Sequence, residues 1–225
     1  MIVWLLASVL AATAIAQEKE SDTWTLLLTT PLTGRAIVWG KVLGVYKRLA
    51  WLAALILTHF LAFTLFGVIT WQALLVTVWV IFTFNSIWVA SGVYLSLRHR
   101  KVTVAVIVNL LLAVVIYLVA FFVLLTAGEM TGGHDLQELV AWYLPYFYLA
   151  DGITATWSGH SDSVYLPGNW RVSGETFLTV VFVVGVVHLA VSYGILRVTA
   201  GSFDRIVGRA RQRRETGALR PAPGV

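Results

Sequence analysis

Five apolar runs, at about residues 1–16, 45–69, 73–97, 102–127 and 176–200, are set apart by polar stretches of very unequal length. The last four are each long enough to cross a bilayer with some tilt, because about 20 helical residues span a hydrocarbon core of about 30 Å. The first, uncharged from Met1 to Ala16, rises only about 24 Å as a helix and reads as a short membrane span. Only Thr70-Trp71-Gln72 parts the second run from the third, which predicts a tight hairpin, and Arg98-His99-Arg100-Lys101 parts the third from the fourth. The pattern predicts an all-α membrane protein, a polytopic helical bundle with about five transmembrane helices. Residues 1–200 form its membrane domain, with a polar elbow at 17–44 and a large loop at 128–175. Residues 201–225 form a basic tail whose Ala/Pro/Gly-rich end reads as partly disordered.

Composition agrees with a membrane protein and excludes several chemistries. The chain is 59% hydrophobic and 12% charged, against about a quarter charged in soluble domains. Ten Trp and eight Tyr suit two water–lipid interfaces. The absence of cysteine removes disulfides, thiolate nucleophiles and Cys-ligated metals. The net charge of +5 takes its meaning from placement. With the elbow, the 98–101 turn and the tail on the cytoplasmic side, fifteen of the sixteen Lys and Arg lie inside and only Arg171 lies outside. That asymmetry is the positive-inside pattern and puts the loop 128–175 outside, together with six of the eleven acidic residues. The basic residues therefore read as topology signals and contacts to anionic membrane lipids, not as a nucleic-acid surface. The expected location is the cell inner (plasma) membrane, multi-pass. Ala14-Ile15-Ala16 has the form of a signal-peptide cleavage site, but no Lys or Arg precedes the apolar run, and cleavage would strand Arg35, Lys41, Lys47 and Arg48 outside.

Within the elbow, Glu18, Glu20 and Asp22 precede the apolar stretch Trp24 to Leu28, with Ser21 or Asp22 available as an N-cap and acids suited to a helix's positive end. A short surface helix is predicted there. Pro31 stops it, and Thr33 can cap the next helix, which carries Arg35 and Lys41 at headgroup depth. Such a helix is a shape that a partner can grip; the plainer reading is an interfacial anchor for the hairpin.

The run Ile15-Ala16, Glu18-Lys19-Glu20, Thr23, Leu27-Leu28, Thr30-Pro31-Leu32, Arg35, Ile37-Val38 and Gly40-Lys41 resembles the segment after the second membrane helix of ABC-2 type transporter permeases. The likeness continues through Ser91-Gly92-Val93-Tyr94-Leu95-Ser96-Leu97-Arg98 into the basic turn, then Thr103-Val104-Ala105, then a large external loop before the last span. Asp22 stands where the family often has Gly. The resemblance implies that the elbow is the coupling helix that docks on an ABC ATP-binding subunit, through Glu18, Glu20, Thr23, Trp24, Leu28, Thr30, Pro31 and Leu32. It also implies six spans in a complete domain, the first of them lacking here, and a second permease copy or homologue as dimer partner.

No engine of its own is legible in the chain. Gly34 to Val42 mimics a phosphate loop, but five residues separate Gly34 from Gly40 where four are required, and Val42 replaces the Mg²⁺-binding Ser or Thr. ATP and Mg are thus expected on the partner subunit, with no cofactor on this chain and no enzyme activity of its own. The histidines, His59, His99, His134, His160 and His188, show no metal-ligand spacing. His134-Asp135 and His160-Ser161-Asp162 read as solvated loop. Ionisable and polar groups within spans face a protein interior or a water path, so His59, Asn85, Asn109 and His188 are candidates for interhelical hydrogen bonds or for a pathway lining. Gly40 with Gly44, and Gly92 with Ser96, are small-xxx-small pairs for close packing, within the bundle or against a second copy.

In the external loop, Leu136 to Ala150 is aromatic and apolar around Pro145, too short to cross, and reads as a re-entrant segment. By resemblance it caps the exit side; Trp142, Tyr143, Tyr146 and Tyr148 equally make a membrane-resting belt. Asp151 to Gly174 reads as exposed. These features point to the membrane-spanning permease subunit of an ATP-driven ABC exporter. The alternative is a non-transporting membrane anchor or assembly protein, and a membrane hydrolase or transferase lacks any convergent catalytic set.

Overall fold

A computed structural model describes residues 2–21, 23–24, 32–119, 122–123, 126, 164–166, 170–172 and 174–207. Five α-helices lie among them: α1 (Ile2–Glu20), α2 (Gly34–Leu65), α3 (Trp71–Arg98), α4 (Val102–Val114) and α5 (Gly174–Ile206). A π-helical turn, Val115–Val119, continues α4. A two-stranded antiparallel hairpin, β1 (Val164–Leu166) and β2 (Trp170–Val172), pairs Tyr165 with Arg171 inside the stretch that the sequence pattern assigns to exposed loop. Val164, Tyr165, Trp170 and Val172 are of the β-branched and aromatic types that favour strands. By length and composition α2, α3 and α5 can each cross a membrane, and α4 is a shorter apolar helix.

Three boundaries differ from the hydropathy pattern, each for a local reason. Helix α1 runs through Gln17-Glu18-Lys19-Glu20, because charge ends an apolar run without ending a helix and these four are good helix formers. Glu18 and Glu20 therefore sit in the last turn of α1, not ahead of the next helix. Helix α2 starts well before its apolar run, where Thr33 is extended and its hydroxyl accepts from the Ala36 N–H at 3.2 Å, the cap expected of that threonine. The hairpin turn falls at 66–70, where Gly67 adopts φ 74°. Trp71 and Gln72 belong to the first turn of α3, capped by Thr70.

Helix α3 is the hub: 61% of its apolar window is buried, against 11% for α2 and 17% for α5. It packs on all four other helices. Residues Trp51, Leu55, Leu65 and Phe66, at 69–85% exposure, face outward, as lipid-facing positions do. The Gly92–Ser96 pair packs within the chain, against α1. A Cβ on Gly92 would lie 2.6 Å from that of Ala11 and 2.9 Å from the Ala12 nitrogen, so only glycine permits this crossing. One turn on, the Ser96 hydroxyl lies 2.7 Å from the Ile15 and Ala16 nitrogens. Around Gly40 and Gly44 the space is open.

Candidate functional site

The chain alternates direction at each connection, so the C-terminal ends of α1, α3 and α5 and the N-terminal ends of α2 and α4 share one end of the bundle. Four charged or aromatic side chains from the elbow join them. Lys19, in the last turn of α1, donates to the carbonyls of Ser96 (3.1 Å), Leu97 and His99 (3.2 Å), the unpaired oxygens at the end of α3. Burial pulls its ammonium down from 10.5 to about 8. Glu18 pairs with Lys41 of α2. Glu20 Oε1 accepts the Val102 N–H at 2.8 Å, and so caps α4, whose own N-cap Lys101 supplies no side-chain bond. A carboxylate there also answers the positive end of the helix dipole. Trp24 stacks obliquely on Phe203 of α5 at 5.9 Å between centroids and lies 5.4 Å from the Lys19 Nζ.

Phe203 is fully buried at this joint. Its ring approaches Gly34 so closely that a Cβ there would lie 2.7 Å from it. The sequence pattern gave no sign of this contact, because Phe203 lies past the last apolar run and about 170 residues from its partners in the chain. Lys19 was equally hidden: a lysine after a membrane run ordinarily reads as a topology charge, and only the fold shows that it faces carbonyls.

Of the expected docking residues, Glu18 and Trp24 are thus partly buried in the joint, and Glu20 bonds across it while still exposed. Thr23 Oγ1 lies 3.0 Å from the Ser21 hydroxyl and donates to the Glu18 carbonyl at 3.4 Å. Leu32 is half exposed. Leu28, Thr30 and Pro31 lie outside the described residues, as do the segment 136–150 and the tail beyond Val207.

The four polar groups within spans do not converge, and no hydrogen bond among the described residues joins any two of them. Asn109 is fully buried; it donates to the Ser8 hydroxyl at 2.7 Å and accepts from the Ser91 hydroxyl at 2.8 Å, tying α4 to α1 and α3. This is the interhelical role. His188 Nδ1 lies 2.7 Å from the Val184 carbonyl, and its ring packs on Phe84 at 4.2 Å. His59 is exposed, its ring edge-on to Phe63. Asn85 donates to the Ile81 carbonyl at 2.6 Å, which fixes its amide orientation and leaves a buried Oδ1 with no partner among the described residues. It lines an apolar cavity of about 280 Å³ between α2 and α3. Among the described residues no group of three His, Asp or Glu side chains could hold a metal ion.

Long apolar helices around one hub, closed at a basic end by cross-chain charges, define a multi-pass helical membrane protein. The chain belongs to the ABC-2 transporter family: the family described as ABC-2 family transporter protein matches residues 1–205. No curated protein matches it. Members of this family are permease subunits and not themselves ATPases, which is the general role of this chain.

Proposed function

We propose that the chain is the membrane subunit of an ATP-driven exporter in the inner membrane, its basic end in the cytoplasm, where the elbow takes the stroke of a separate ATP-binding subunit. ATP and Mg bind that partner, and two permease copies or homologues form the pathway between them. The observation that carries the reading is the bracing of the joint. Lys19, Glu18, Glu20 and Trp24 link the end of α1 to α3, α2, α4 and α5 respectively, so displacement of the elbow is felt by every helix of the bundle. Close-packed elements transmit such a shift as a change between two arrangements, and partner closure selects one of them by differential contact.

The reading divides the elbow's residues by role. Leu28, Thr30, Pro31 and Leu32 form the contact surface, while Glu18, Glu20 and Trp24 hold the joint rigid behind it; Thr23 closes the end of α1. Affinity purification from native membranes in mild detergent, with an ATPase assay, tests this. The wild type retains an ATP-binding subunit. Leu28→Arg loses it, whereas Glu20→Gln keeps it with hydrolysis no longer responsive to the permease. Recovery without any ATP-binding subunit, under conditions that keep a known transporter whole, would favour a membrane anchor, and normal coupling in both variants would refute the division.

A further inference from the structure

Between the first turns of α2 and the last turns of α5, at the basic end, lies a cavity of about 350 Å³ lined by Arg35, Trp39, Tyr193, Arg197, Ala200 and Gly201. Its two guanidiniums come from different helices and flank one space. Among the described residues neither has a carboxylate within ion-pair distance, since the one ion pair is that of Lys41 with Glu18. Two like charges held beside one cavity, with no counter-charge among the described residues, make an anion the complementary occupant. Arginine's planar fork matches the oxygens of a phosphate in pairs.

The surroundings decide which kind of phosphate. Trp39 and Tyr193 form a ring pair at 6.4 Å on the membrane side of the arginines, one turn in from each. Aromatic rings of this kind collect at headgroup level. Beyond them, Leu43 on α2 is 65% exposed, and Val186, three turns from Arg197 on α5, is 44% exposed, so an apolar track leads from the cavity into the bilayer. Gly201 leaves the aqueous side open, with nothing within 4 Å of where a Cβ would stand. A free phosphate would use the charges and ignore the track; a phospholipid uses both.

We propose that this cavity binds the phosphate diester of an anionic phospholipid, with Arg35 and Arg197 on the phosphate oxygens and the acyl chains along Leu43 and Val186. The site depends on the chain lying in a membrane and is independent of any transport role. It ties the two helices that Phe203 and Gly34 also join, and so places a lipid beside the braced joint.

The test uses the full chain, delipidated in detergent and titrated with phosphatidylglycerol or phosphatidylcholine, with bound lipids counted by native mass spectrometry. Phosphatidylglycerol is expected to bind more tightly than phosphatidylcholine. Arg35→Gln and Arg197→Gln are each expected to weaken it by about fivefold, the worth of one basic residue at a membrane surface. Both side chains are exposed, so the variants are expected to fold; Arg35→Lys and Arg197→Lys, which keep the charge but lose the fork, should fall between. Lys47→Gln, on another face of α2, should bind as wild type does. Equal affinity for the two lipids, or unchanged affinity in both Gln variants, would overturn the site. Displacement of phosphatidylglycerol by millimolar inorganic phosphate would overturn the lipid assignment in favour of a free-anion site.

Discussion

Lys19 shows how much one side chain can be asked to do at a membrane boundary. It lies past the apolar part of α1, half-buried, and its ammonium faces three carbonyls at the end of α3. Burial lowers its pKa to about 8, below the 10.5 of a free lysine. The unfolded chain therefore holds this proton more tightly than the folded one between those values, so this group favours folding increasingly as pH rises from about 8 to 10.5. Below pH 8 it is charged in both states, and its hydrogen bonds to the carbonyls offset only part of the cost of burial. The pH profile of acylation at Lys19, followed by peptide mass spectrometry in the folded protein, is expected to have its midpoint near 8; a midpoint at 10.5 would mean that the carbonyls hold the proton fully against burial. None of this was legible in the sequence, where Lys19 is one of several charges between two apolar runs. The identity of Asn109 as a buried polar residue was legible from hydropathy, but its partners, Ser8 and Ser91, come from other helices and were not.

At the scale of elements, the two small-residue pairs read alike in sequence and part company in the fold. Gly92 and Ser96 seat α3 on α1, while Gly40 and Gly44 face open space on α2. Gly92→Ala puts a methyl group into the Ala11 side chain and the Ala12 backbone, and the expected cost is about 1–3 kcal/mol. Gly40→Ala meets nothing and removes the backbone entropy of a helical glycine, an expected gain of up to about 1 kcal/mol. Thermal unfolding in one detergent checks the pair: the midpoint falls for the first and holds or rises for the second. A fall for Gly40→Ala in the assembled complex alone would assign that groove to a second copy. The start of α2 was legible because a cap is a local event, as Thr33 shows, whereas Trp71 and Gln72, which read as turn, belong to the first turn of α3. The ends of α1 and α2 were misread because charge and apolar character do not determine where a helix stops; Gly67 and the helix-forming Gln17–Glu20 stretch do.

For the whole molecule, the gathering of five helix ends at one basic face gives the orientation a direct test. Because the chain has no cysteine, Ser21→Cys and Ser161→Cys each introduce a single label site. In sealed cells a membrane-impermeant maleimide is expected to label position 161 and to reach position 21 only after lysis; equal labelling of both from outside would overturn this orientation. The sequence by itself determined that this is a multi-pass helical membrane protein, the number and approximate place of its apolar runs, its likeness to ABC-2 permeases and the distribution of basic charge. Those properties are carried by composition, period and local motif, which need no partner. Only the tertiary structure decided that Glu18, Glu20, Lys19 and Trp24 brace the joint, that Gly92 and not Gly40 is a packing contact, and that Arg35 and Arg197 share one cavity. Each of these joins residues far apart in the chain, and which residues meet across helices is set by helix rotation and crossing, which hydropathy does not encode.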